Sequence, residues 1–264
     1  MHRFGNLAGR CCYWAALAAI LAFLVVPAAL VVCLSFSNDA MIAFPPRSWG
    51  VGNYAKLAAS PRWLNAAGLS LALAVCVAAL ATVVAVPAAF AFQRTRLSRL
   101  GALSLAGVTP MLVPQTAYAI GMYMMMAQLG LLGSAPALVA AQLAICFPYI
   151  FVIVRAQLSR MTPDLDLVAM TMGASRLRAW TGISLRLLLP AVLSGALLSF
   201  LTSFDEAVFA NFLSGPGLVT LPKAIFDSVR LGVDPVITAI STLLMLFTAV
   251  VLGLSTLLRR KSAQ

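Results

Sequence analysis

Long apolar runs alternate with short polar connections through almost the whole of this chain. Six runs are long enough to cross a hydrocarbon layer of about 30 Å as α-helices. They are residues 13–36, 65–92, 100–126, 135–154, 187–210 and 236–258. A segment in lipid must satisfy its own backbone hydrogen bonds, so the pattern predicts an all-α, polytopic membrane protein with six transmembrane helices.

The first run follows two arginines, Arg3 and Arg10, and in this respect it looks like a secretory signal. Its apolar core is longer than the roughly 7–15 residues of a signal sequence, and no small-x-small site ends it. We therefore predict an uncleaved membrane helix. Residues 38–64 contain several prolines and glycines, and they should form an external loop with aromatic side chains in the headgroup layer.

The longest polar stretch inside the apolar sequence is 155–190. A hydroxyl, a proline and a carboxylate at 162–164 are typical of a helix start. Apolar residues then recur with the period of one helix face, at Leu165, Val168, Ala169 and Met172. We expect Gly173 to end this helix and residues 174–180 to form a second short helix. Two short amphipathic helices between membrane spans would make a docking element.

The charge of the chain is unevenly distributed between the two sides of the predicted spans. Only 9% of the residues are charged, whereas a soluble domain has about 25%. One side carries thirteen of the eighteen basic residues and two of the seven acidic ones. The positive-inside rule places that side, with both termini and the 155–186 segment, in the cytoplasm. The net charge of +11 is therefore a topology signal, and we expect no nucleic-acid partner.

The sequence contains none of the usual signatures of catalysis or metal binding. Its five cysteines have no CxxC spacing, and its one histidine is His2. There is no phosphate-binding loop, zinc-protease motif or nucleophile elbow. We therefore predict no catalytic residue and no metal site. The near absence of charges from the span centres also argues against a proton-coupled carrier.

Prolines interrupt several of the predicted spans, most densely in the third. Pro110 and Pro114 precede Gln115, and such breaks persist in lipid where a neighbouring helix or a polar path satisfies the freed carbonyls. The third span therefore either lines something polar or is kinked for packing alone. Gln115 and Tyr118 are candidate pathway residues on the first interpretation.

Two adjacent acids, Asp205 and Glu206, are placed within or at the outer end of the fifth run. An unpaired carboxylate in a membrane is costly and should face a cavity. With Ser203 and Asn211 they would then receive a cationic solute from outside. The alternative is that they lie beyond the hydrocarbon and cap the next short helix.

The segment 164–190 resembles the "EAA" loop of permease subunits of ATP-binding-cassette importers. That pattern is Glu-Ala-Ala, a glycine four residues later, and Ile-x-Leu-Pro ten residues after the glycine. Here Ala169, Gly173 and Ile183 match, whereas Leu167 replaces the glutamate and Asp166 supplies an acid one residue earlier. The resemblance implies that this loop couples to a separate ATPase. The residues assigned to that coupling are Asp166, Leu167, Ala169, Gly173, Ala174, Arg176 and Ile183. The alternative is a helix pair held at the surface of the membrane lipid by its arginines.

Residues 199–235 are similar to the last part of spermidine/putrescine-type permeases. The matching positions include Ser203-Phe204-Asp205-Glu206, Leu221-Pro222 and Pro235. This resemblance implies a permease of the type I importer fold in a bacterial inner membrane, with both termini cytoplasmic and no chemistry of its own. Its implied partners are ATPase subunits that bind ATP and Mg²⁺, a second permease subunit, identical or homologous, and a periplasmic solute-binding protein. No cofactor is expected in this chain.

The resemblance also implies a division of the chain and a solute class. Residues 1–64 would form the N-terminal cytoplasmic tail, the first membrane helix and the external loop. Residues 65–258 would form the transmembrane core with coupling helices at 162–181, and residues 259–264 a cytoplasmic tail. The favoured solute is a polyamine or a similar small cation. Phosphonate, thiamine, ferric iron or an organic acid remain open, as does an ATP-independent carrier or channel.

Overall fold

The computed structural model describes residues 2–94, 107–161, 165–232 and 234–262. Within these ranges the chain is helical, and its only β-structure is an isolated bridge between Ser37 and Trp49. The helices are α1 (His2–Ser35), α2 (Gly52–Ala58), α3 (Pro61–Arg94), α4 (Gln115–Gln128), α5 (Ala135–Leu158), α6 (Leu165–Thr171), α7 (Arg176–Ala179), α8 (Leu185–Phe204), α9 (Val208–Leu213), α10 (Leu221–Leu231) and α11 (Val236–Ser262). A 3₁₀ turn at Thr109–Met111 precedes α4, and a π-helical turn at Trp180–Ser184 joins α7 to α8.

Five stretches of helix in the described ranges are long and apolar enough to cross a membrane. They are Gly9–Ser35, Pro61–Phe92, Ala135–Leu158, Arg176–Phe204 and Val236–Gly253. Five of the six predicted runs are thus confirmed as long apolar helices. The predicted all-α class is confirmed as well.

The third predicted run does not form one continuous helix. Its first residues, 100–106, lie outside the described residues, and the rest is divided between the 3₁₀ turn and α4. Pro114 has an extended backbone (φ −53°, ψ 128°) and precedes the first residue of α4. The 14 residues of α4 span roughly 21 Å, which is short of a hydrocarbon core of about 30 Å. Proline provides no N–H to continue a helix, so the break predicted at Pro110 and Pro114 is confirmed, and the third run does not form a single membrane-spanning helix over the described residues.

The fifth predicted run, 187–210, is wrong at both ends. At its start no strong breaker separates α7 from α8, so the π turn carries the helix through from Arg176. The second short helix expected at 174–180 is therefore the beginning of the membrane helix. At its end α8 stops at Phe204, and residues 205–207 separate it from α9.

The chain divides into two compact units, of which the first comprises Met1–Pro61 and Ser228–Val251. Here the Ser35 hydroxyl lies 2.7 Å from the hydroxyl of Tyr54 in α2. The loop after α1 is closed by Asp39, whose carboxylate accepts hydrogen bonds from the Arg47 N–H (2.8 Å) and the Ser48 hydroxyl (2.7 Å). These hydrogen bonds, above all the one from the Arg47 N–H, hold the pKa of the Asp39 carboxyl below its ordinary value.

The second unit comprises Arg62–Asp227 and Leu252–Gln264, and the antiparallel pair of α5 and α8 lies at its centre. The Ser203 hydroxyl donates to the Gln142 amide oxygen (2.7 Å), and one turn further along the Ser199 hydroxyl donates to the Cys146 carbonyl (3.0 Å). One more turn along, a Cβ on Gly195 would lie 3.0 Å from the Cα of Ile150. Small residues thus allow the two backbones to approach closely, as is common between membrane helices.

Candidate functional site

A cavity of about 460 Å³ lies where α8 ends and α9 begins, beside the N-terminus of α4. Its lining consists of Gln115, Leu201, Thr202, Asp205, Glu206, Ala207 and Val208. Three of the six predicted pathway residues, Gln115, Asp205 and Glu206, are therefore brought together from segments about 90 positions apart. The cavity lies where α8 has ended and α9 has not yet begun, and where the 3₁₀ turn is interrupted before α4.

Glu206 is buried and forms hydrogen bonds with the start of α9 and with Gln115 of α4. It is only 3% exposed, and its carboxylate accepts hydrogen bonds from the backbone N–H of Phe209 (2.9 and 3.0 Å) and Ala210 (3.3 Å). The side-chain amide of Gln115 donates a further bond of 3.0 Å. Glu206 thus caps the first turn of α9 from the position before the N-cap residue, Ala207, and these donors compensate its charge. The contacts agree with the capping alternative for this acid, while its position relative to the hydrocarbon stays a prediction.

Asp205 has the opposite environment. Its backbone N–H completes α8 by donating to the Leu201 carbonyl (3.1 Å), while its side chain is exposed and lines the cavity. Within the part of the chain that the structure describes, its carboxylate has no hydrogen-bond or ion-pair partner. The cavity therefore offers one uncommitted carboxylate, together with the hydroxyl of Thr202 and the amide of Gln115.

The other three predicted pathway residues have structural partners and are absent from the described lining of the cavity. Ser203 is buried against α5 through its bond to Gln142. The Asn211 amide donates to the Ala207 carbonyl (2.8 Å). Tyr118 packs its ring edge-on against Phe209, with centroids 5.6 Å apart.

Sequence reasoning missed Gln142, which is buried in the middle of α5. It accepts the Ser203 hydrogen bond, and its side chain also interacts with Glu206. A lone amide in an otherwise apolar membrane run was the available signal, because such a group requires an internal partner. Gln142 thus connects α5 to Glu206, which lines the cavity.

The predicted coupling segment turns sharply at Gly173. This residue has φ +93°, a conformation that favours glycine, and the Ala174 N–H returns a 3.0 Å hydrogen bond to the Ala169 carbonyl. The helix end predicted at Gly173 is therefore confirmed. The start predicted at 162–164 lies outside the described residues. Ser175 caps α7 by accepting a hydrogen bond from the Arg178 N–H (3.4 Å).

The residues assigned to ATPase coupling divide into an outward and an inward set. Leu167 on α6 is 57% exposed although it is apolar, as is its neighbour Val168 (56%), which is not among the assigned residues. Asp166, in contrast, is buried against the base of the membrane helix. Its carboxylate accepts a hydrogen bond from the hydroxyl of Ser184. The remaining assigned residues are Gly173 and Arg176, which are exposed, and Ala169, Ala174 and Ile183, which are half-buried.

Comparison with known proteins gives a consistent result. Residues 71–264 match a family described as the binding-protein-dependent transport system inner membrane component. The chain is 30% identical over 230 residues to the putrescine transport system permease protein PotI of Escherichia coli K12, covering 84% of this chain and 82% of the relative. It is 31% identical over 244 residues to the spermidine/putrescine transport system permease protein PotC of Haemophilus influenzae, covering 92% and 94%.

Solved structures with a similar fold are also transporters. A bacterial ABC transporter involved in the import of alginate matches with a TM-score of 0.78 at 15% identity, covering 98% of both chains. The MetNI methionine ABC transporter in an inward-facing conformation matches with a TM-score of 0.61 at 14% identity, covering 75% of this chain and 95% of that one.

Proposed function

Since this chain belongs to the family of binding-protein-dependent transport system inner membrane components, and is a permease subunit of an ATP-binding-cassette importer, we propose that its solute is a polyamine or a similar small organic cation. The observation that carries this proposal is the free carboxylate of Asp205 in the cavity between α8 and α9. A fixed negative charge lowers the energy of an ammonium group beside it and raises that of an anion. The names of the relatives PotI and PotC support the same solute class.

The dimensions of the cavity are compatible with this solute. Its volume of about 460 Å³ lies in the range of about 300–1,000 Å³ typical of small-molecule sites. The apolar side chains of Leu201 and Val208 would contact the methylene groups of an alkyl amine, while Asp205, Thr202 and Gln115 would receive its polar ends. Phosphonates and organic acids would place a second negative charge beside Asp205, so they are disfavoured.

We propose that this subunit forms half of the translocation path and converts the movement of partner proteins into opening of the cavity. The exposed apolar face of α6, with Leu167 and Val168, would dock into a groove of an ATPase subunit that binds ATP and Mg²⁺. A second permease would complete the path, and a soluble receptor would deliver the solute. The excess of basic residues supports an orientation with both termini in the cytoplasm.

Dependence on partner proteins distinguishes an importer from an ATP-independent carrier, the alternative that the sequence alone left open. The importer moves solute only with its ATPase and receptor present, whereas a carrier equilibrates solute alone. Proteoliposomes containing this chain with and without its genomic ATPase and receptor would be assayed with radiolabelled putrescine. Uptake that depends on ATP and is competed by spermidine, and not by organic acids, is the expected result. Equal competition by anions would contradict the proposed solute class.

A further inference from the structure

A buried hydrogen bond connects the short helix α6 to the base of the membrane helix. The hydroxyl of Ser184 donates to the carboxylate of Asp166, and the two residues are 3% and 5% exposed. The same helix is otherwise joined to α7 by the turn at Gly173, which has φ +93° and open space around its Cβ position. Glycine allows the backbone wide freedom, so the turn by itself is a weak mechanical link.

Ser184 occupies a special position, because it is the last residue of the π-helical turn Trp180–Ser184. π-helical turns are rare in proteins, but those that do occur are often found at functional sites. The first residue of the turn, Trp180, packs its ring edge-on against Phe90 of α3, with centroids 5.7 Å apart. The turn is therefore held from two directions, by α3 at its start and by α6 at its end.

The direction of Asp166 differs from that of its neighbours in the sequence. Leu167 and Val168 face outward, whereas the Asp166 carboxylate is turned toward its own chain. A buried carboxylate that has accepted a hydrogen bond favours the arrangement that preserves the bond, because separating the groups removes a hydrogen bond from a buried charge. α6 therefore has an outer face free for docking and an inner face fixed to the membrane helix.

We propose that the Asp166–Ser184 hydrogen bond is a positioning contact that makes α6 and α8 move as one body. Displacement of α6 by a docked partner then reaches the far end of α8, about 30 Å away at 1.5 Å per residue, where the cavity with Asp205 lies. This inference rests on the proposed docking of α6 to an ATPase. It assigns to Asp166 an internal role in coupling, in place of an ion pair with the ATPase.

The experiment measures coupling in the complete importer, reconstituted in proteoliposomes with its ATPase and receptor. ATP hydrolysis and uptake of radiolabelled putrescine are recorded together for Ser184→Ala and Asp166→Ala. Ser159→Ala serves as the matched control, because its exposed hydroxyl donates to the carbonyl of Ala156 in its own segment and lies outside both α6 and α8. Ser184→Thr keeps the donor and serves as the conservative variant.

We expect the number of solute molecules imported per ATP to fall about fivefold or more in the two alanine variants, the low end of coupling between distant sites. Co-purification of the ATPase should be unchanged in both, and the ratio should be normal in Ser159→Ala and largely restored in Ser184→Thr. An unchanged ratio in Ser184→Ala, with assembly intact, would overturn the positioning role alone. Loss of the ATPase from Asp166→Ala but not from Ser184→Ala would also overturn it, because the carboxylate would then act on the partner directly. Failure of the unaltered chain to bind the ATPase would instead overturn the proposed function, and the inference with it.

Discussion

The side-chain amide of Gln115 donates a 3.0 Å hydrogen bond to the carboxylate of Glu206, 91 residues further along the chain. This bond joins the start of α4 to the cap of α9 and forms one wall of the acidic cavity. It also separates the functions of two adjacent acids, since Glu206 is occupied by it and Asp205 is not.

Removing the Glu206 carboxylate should destabilise the protein. In Glu206→Ala the N–H groups of Phe209 and Ala210 and the Gln115 amide all lose their acceptor, which should cost about 1–3 kcal/mol. Thermal unfolding of the purified protein in detergent would measure this loss. Asp205→Ala is the control and should unfold near the normal temperature, whereas equal destabilisation by both substitutions would contradict the assignment of the cap.

Neutralising Asp205 should weaken solute recognition without affecting assembly. A hydrogen bond to a charged group contributes roughly 1.5–3 kcal/mol, so Asp205→Asn should raise the KM for a cationic solute about tenfold or more. The measurement is ATP-dependent uptake by the reconstituted importer over a range of putrescine concentrations. Asp227→Asn removes the same charge from a carboxylate that lies 3.7 Å from the Lys223 ammonium, and it should leave the KM unchanged. An unaltered KM in Asp205→Asn would remove this residue from the path.

A bulky residue at position 173 should disrupt the turn after α6. At φ +93° a side chain with a Cβ is strained by about 1–2 kcal/mol, so Gly173→Leu should displace α6, abolish uptake and loosen co-purification of the ATPase. Gly68→Leu on α3 is the matched control, because Gly68 also has open space around its Cβ position but lacks the positive φ. Normal uptake and complex yield in Gly173→Leu would be inconsistent with docking through this turn.

The close approach of α5 and α8 at Gly195 predicts sensitivity to a single methyl group. In Gly195→Ala the added Cβ would meet the Ile150 Cα at 3.0 Å, and overpacking of this kind costs about 1–3 kcal/mol. Gly68→Ala on α3 should be tolerated, since no atom lies within 4 Å of its Cβ position. The unfolding temperatures of the two variants in detergent would provide the test, and a stable Gly195→Ala protein would show that the two helices separate without cost.

Local patterns in the sequence were sufficient for the long helices and for the turn at Gly173. Each depends on a run of neighbouring residues, namely a continuous apolar stretch or a glycine after a periodic segment. The break after Phe204 was not predictable in the same way, because no glycine or proline marks it.

The roles of the acids depended on which groups the fold places beside them. Which of Asp205 and Glu206 is free is decided by the start of α9 and by Gln115 on another helix. Asp166 points inward because it accepts a hydrogen bond from Ser184. Ser184 is the last residue of the π turn, which the sequence did not predict. Helical periodicity predicts the face of the helix on which each carboxylate lies. It does not predict which residue of another segment packs against that face.

The contacts between α5 and α8 recur at every fourth residue. On α5 they involve Gln142, Cys146 and Ile150, which lie opposite Ser203, Ser199 and Gly195 of α8. Sliding one helix along the other by less than a full turn would leave hydroxyls and an amide without partners in a medium that cannot replace them. We therefore expect the two helices to move together and to resist sliding along each other. Opening of the cavity should then occur by tilting of this helix pair relative to the neighbouring helices.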